Sequence, residues 1–98
     1  PHCYKRVNLA HELGHAVLGH TRPQTEWWEA RQELQADIFA ARLLIDPSDY
    51  ARLEELYDST PAIAEDLEVT PHLLHVWKNY TATNNRLQRE QRQYAETA

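Results

Sequence analysis

Apolar residues recur along most of this chain at the spacing of a helix rather than of a strand. Over about Val7 to Gly19, Ala10, Leu13, Gly14 and Val17 share one side of an α-helix, and Gly19 supplies a stop. Thr21-Arg22-Pro23 then reads as a turn. A longer helix is predicted from near Thr25 to Ile45, with Glu26 and Glu29 in its first turn and a stripe of Trp27, Ala30, Leu34, Ile38, Ala41 and Ile45.

Asp46-Pro47, Thr60-Pro61 and Thr70-Pro71 each put a capping side chain directly before a proline, the pairing of N-cap and first helical residue. Three further helices should start there. Their apolar positions are Tyr50, Leu53, Leu56 and Tyr57 in the first, Ile63 and Leu67 in the second, and Leu73, Leu74, Trp77 and Tyr80 in the third. Beyond Tyr80 only Leu87 and Tyr94 are large and apolar, so residues 81–98 form a polar helix or tail behind a helical domain of residues 1–80. With two glycines and no β-branched alternation, the expected fold is mainly α, a bundle of about five helices.

Composition narrows this only slightly. Ninety-eight residues suffice for one core, and 42% hydrophobic with 26% charged residues is ordinary for a globular chain. No apolar run is long enough to span a bilayer. The formal charge of −5 opposes nucleic acid and anionic membranes. Cys3 has no second cysteine to pair with, and the N-terminus lacks the pattern of a signal sequence, so a cytoplasmic location is expected.

The chemistry concentrates at His11-Glu12-Leu13-Gly14-His15. Two imidazoles four residues apart project from one side of a helix and reach a common ion, while Glu12, turned about 100° away, is better placed to act as base on a water held at that ion. Composition alone predicts such a match by chance at roughly 4%, so a third ligand matters. Glu33 follows His15 by eighteen residues, with Asp37 one turn later on the same side of the second helix. Zinc with two histidines and one glutamate, the fourth position left for water, is a standard catalytic set. Glu33 is accordingly read as the third ligand and Asp37 as the carboxylate that orients a ligating histidine. Glu29 or Asp37 as a direct ligand stays open.

The stretch from Leu9 through His11-Glu12-Leu13-Gly14-His15 to His20, together with Glu33-Leu34-Gln35-Ala36-Asp37 and on to Ile45 and Pro47, resembles the ImmA/IrrE family of metallo-endopeptidases. A looser likeness continues through Ile63 to Pro71. The resemblance implies a gluzincin-like zinc peptidase in which His11, His15 and Glu33 bind Zn2+ and Glu12 is the catalytic base. It implies a protein substrate, of the transcriptional-repressor type. Such proteins usually carry a small β-sheet before the HExxH helix; with few residues ahead of Val7, that sheet is expected to be absent or truncated.

A zinc peptidase also needs a group facing the developing oxyanion. His20, His72 and His75 are candidates. His75, beside Leu74 and Trp77, is the preferred one, although histidines in such places more often serve structure. Tyr4, Tyr50 and Tyr80 are comparable candidates, and Trp27 and Trp28 are assigned to packing. Gly14 inside a helix costs about 1 kcal/mol relative to alanine, which points to close approach by the second helix. Two alternatives remain: a zinc-binding protein without turnover, and a binding module using the helix-turn-helix-like segment Ala64 to Thr70, which is disfavoured by Glu65, Asp66 and Glu68. A homo-oligomer is compatible with all three.

Overall fold

Local capping chemistry starts four of the helices. The Thr25 hydroxyl accepts the Trp28 N–H at 3.1 Å, Asp46 accepts the Ser48 N–H at 2.8 Å, and Thr70 accepts the Leu73 N–H at 3.1 Å. Thr60 departs from the expectation: Ser59 is the cap, accepting the Ala62 N–H at 3.3 Å, so that Thr60 is already helical and Pro61 lies in the first turn. A serine or a threonine can cap, and only the backbone geometry selects between neighbours.

The computed structural model describes residues 2–97, so Pro1 and Ala98, the outer ends of the two predicted ranges, lie outside it. The described residues form α1 (His2–Val17), α2 (Glu26–Leu44), α3 (Pro47–Leu56), α4 (Thr60–Asp66) and α5 (Pro71–Thr97), with no strand among them. The mainly α bundle expected from the pattern is the observed fold. Helix α1 packs on α2, α2 on α5, α4 on α5, and α3 on α4. Residues 81–97 continue α5 without a break, and 82–96 are exposed.

The core joins Val7 and Ala10 of α1, Ala40 and Ala41 of α2, Leu53, Ile63 and Ala64, and Leu73, Leu74 and Trp77 of α5. Tyr50 packs its ring on Trp77 at 4.8 Å between centroids. Burying side chains of this size contributes about 1.5–3 kcal/mol each, and α5 supplies the largest share.

The apolar stripes of the first two helices need correction. Leu13 and Val17 are exposed, as are Trp27 and Leu34, while the buried face of α2 is Ala36, Ala40 and Ala41. Two helices that approach closely must do so along small residues, and here Ala10 and Gly14 face α2. A Cβ built on Gly14 would stand 3.2 Å from the Cα of Ala36. Neither Trp27 nor Trp28 is in the core. Their rings stack edge to face at 4.8 Å on the surface, with the Arg31 guanidinium 5.6 Å from the centre of the Trp27 ring.

Candidate metal centre

The seam between α1 and α2 gathers the polar chemistry. His11 and His15 are one turn apart on α1, both partly buried, and Glu33 reaches across from α2. His11 Nε2 lies 2.9 Å from Glu33 Oε2, His15 Nε2 lies 3.0 Å from Glu33 Oε1, and the two Nε2 atoms are 3.0 Å apart. Among the described residues this is the one group of three or more histidine, cysteine or acidic side chains whose donor atoms all converge, within 4.8 Å.

The outer faces of the rings decide what can fill this space. His11 Nδ1 is 2.8 Å from Asp37 Oδ1. A carboxylate only accepts, so that nitrogen carries a proton, and a ring in its neutral form then turns a bare lone pair inward. His15 Nδ1 is likewise engaged on its outer side, at 2.8 Å from His20 Nδ1. With both rings neutral and protonated on their outer nitrogens, two nitrogen lone pairs and two carboxylate oxygens face one another at about 3 Å with no donor between them. A cation resolves that conflict. Ligand atoms in tetrahedral zinc sites, at about 2.0–2.1 Å from the ion, stand roughly 3.3 Å from each other, so the donor set fits zinc in both chemistry and spacing.

Asp37 connects the site to α5 as well. Its Oδ2 accepts the His72 Nε2–H at 3.2 Å. Tyr4, Asn8, His11, Glu33, Asp37 and His72 border a groove of about 490 Å³ that opens beside the cluster. Glu12 is exposed on α1 next to His11 and takes part in no hydrogen bond or ion pair among the described residues, which leaves its carboxylate free.

Some expected residues sit elsewhere. His75 is exposed on α5, accepts a hydrogen bond from Asn79 Nδ2 at 3.1 Å, and does not line the groove. One turn earlier, His72 does. Three residues apart on α5, the two stand about 60° apart around the helix and one turn apart along it, and hydrophobic neighbours alone could not tell which of them meets α2. Glu29 is outside the cluster, and Asp37 faces the far nitrogen of His11. His20, weighed above for another role, stands against His15, and Gln35 against His20, a chain of contacts that residue spacing alone does not reveal. The α4–α5 turn keeps exposed Glu65, Asp66 and Glu68 on its surface, a poor match for a phosphate backbone.

A helical seam that presents an HExxH pair and a glutamate to one point defines a metallopeptidase-type site. The chain matches the peptidase family described as the IrrE N-terminal-like domain over residues 4–77, and it belongs to that family. Searches among curated proteins and among solved structures gave no match.

Proposed function

We propose that this protein is a zinc-dependent endopeptidase acting on a regulatory protein, in the cytoplasm. The observation that carries the reading is the convergence of His11 Nε2, His15 Nε2 and the Glu33 carboxylate, with the Nδ1 atom of each histidine engaged on its outer side.

His11, His15 and Glu33 would hold the ion. When bound, zinc supplies Lewis acidity, polarising a carbonyl and making water a stronger nucleophile near neutral pH. Glu12 accepts the proton of the attacking water at its carboxylate and returns it to the leaving amine, so the base is regenerated in each cycle. Asp37 holds the His11 ring in the orientation and tautomer that ligation needs. The groove bordered by Tyr4, Asn8 and His72 receives the peptide next to the scissile bond.

The net charge of −5 favours a basic partner. Repressors carry basic DNA-binding surfaces, which is consistent with a substrate of that kind. The test is peptidase activity of the zinc-loaded chain, on a helix-turn-helix repressor, compared with a Glu12→Gln variant. Loss of on the order of 100-fold or more in rate with zinc retained is expected for removing a general base; a variant with full zinc and full activity overturns the assignment.

A further inference from the structure

We infer that His20 and Gln35 are positioning residues that lock His15 into the tautomer a metal requires. The inference deepens the metal reading above and rests on it for its purpose, though not for its geometry.

The end of α1 makes the contact. Gly19 adopts φ +70°, the His20 N–H donates to the His15 carbonyl at 3.0 Å, and the Gly19 N–H donates to the Ala16 carbonyl at 3.3 Å. This is the Schellman arrangement, in which the chain reverses over the last helical turn. It returns the His20 ring to the His15 ring, with centroids 5.0 Å apart.

The proton count then follows from the end of the chain of contacts. Gln35 Oε1 is 2.8 Å from His20 Nε2, and an amide oxygen only accepts, so His20 Nε2 carries a hydrogen. A neutral His20 therefore presents a lone pair at Nδ1. His20 Nδ1 and His15 Nδ1 are 2.8 Å apart and hold one proton between them, which belongs to His15. His15 Nε2 is left bare and aimed at His11 Nε2 and Glu33. Asp37 performs the same service for His11 with a charged group, whereas His20 does it for His15 with a neutral one. Gln35 lies on α2 between Glu33 and Asp37, so one helix supplies a candidate ligand, the support of His11 and the group that orients His20.

A role confined to stapling α1 onto α2 would change stability but not tautomer or metal affinity. The test uses the full chain labelled with 15N-histidine, recorded near about pH 8, where histidine is ordinarily neutral, both metal-free and with zinc alone. Zinc affinity is measured by competition with a chromophoric chelator. In the metal-free wild type, His15 is expected as the Nδ1–H tautomer and His20 as Nε2–H. His20→Ala should weaken zinc binding about 10–100-fold, and Gln35→Ala should weaken it in the same direction by less.

The inference is overturned if wild-type His15 is the Nε2–H tautomer, if His20→Ala binds zinc as tightly as wild type, or if the His20 nitrogens themselves shift to coordinated values on adding zinc. Should His20→Ala fail to fold, the wild-type spectrum still decides. If wild type takes up no zinc yet shows the expected tautomers, the metal reading fails while the tautomer lock stands.

Discussion

Gly14 of α1 and Ala36 of α2 meet backbone to backbone: a Cβ on Gly14 would lie 3.2 Å from both the Cα and the carbonyl oxygen of Ala36, and 3.1 Å from Cδ1 of Phe39. This contact sits between His11 and His15 on one helix and opposite Glu33 and Asp37 on the other. It therefore sets the distance over which the carboxylates must reach.

Gly14→Ala should separate those two effects. Helix propensity favours alanine by about 1 kcal/mol, but the obstruction is backbone that cannot rotate aside, and overpacking of this kind costs about 1–3 kcal/mol. The expected result is a net loss of stability on the order of 1 kcal/mol, accompanied by weaker zinc binding as α1 and α2 move apart. Chemical denaturation and chelator competition measure the two quantities. A more stable variant with unchanged affinity would show that the close approach does not govern the site.

Glu68 ends α4 in the left-handed region at φ 59°, where the Glu68 and Val69 N–H groups donate back to the Glu65 and Ala64 carbonyls. Arg6 of α1 donates to the Leu67 and Glu68 carbonyls at 3.2 and 3.0 Å, tying α1 to this turn. A side chain at such a position costs on the order of 1 kcal/mol that glycine avoids. Glu68→Gly should therefore raise the denaturation midpoint by an amount equivalent to about 1 kcal/mol, and a lowered midpoint would refute the strain argument.

Tyr50 gives a pH dependence with a definite sign. Its phenol is pushed up from 10.0 to about 12, by burial first and then by the hydrogen bond and charge of Glu54. The folded state thus holds the proton more tightly than the unfolded chain. Its contribution to stability is fully present below pH 10 and is lost as pH rises toward 12. Tyr57 shifts in the same direction through its hydrogen bond to Asp66. Tyr50→Phe should flatten the alkaline decline in melting temperature; an unchanged decline would assign it to other groups.

Proline-led helices were legible in the sequence because capping is local chemistry: Asp46 and Thr70 need only the residues that follow them. The pairing of His11 with His15 was legible because helical spacing places both on one side of α1, whereas the approach of Glu33 depends on how α2 folds back against it. The packing face of α2 was not, since hydrophobicity draws attention to Trp27 and Leu34 whereas close packing against Gly14 selects Ala36 and Ala40. His20 and Gln35 were hidden for a different reason: a turn reversal has to bring His20 back over α1. The signal was present in Gly19 followed directly by His20, a helix-ending glycine with a polar ring one residue beyond. The choice of His72 over His75, neighbours one turn apart on α5, depended on how α5 is set against α2, which no local pattern encodes.

The central claim, that the α1–α2 seam is a zinc site, is tested most directly by elemental analysis of the chain purified without chelators, beside His11→Ala and Glu33→Ala variants. Stoichiometric zinc is expected in the wild type, with loss of it in both variants and a lower melting temperature after chelation, because the ion would clamp two helices of a small core. A wild-type chain free of metal, or variants that keep their full zinc content, would contradict it.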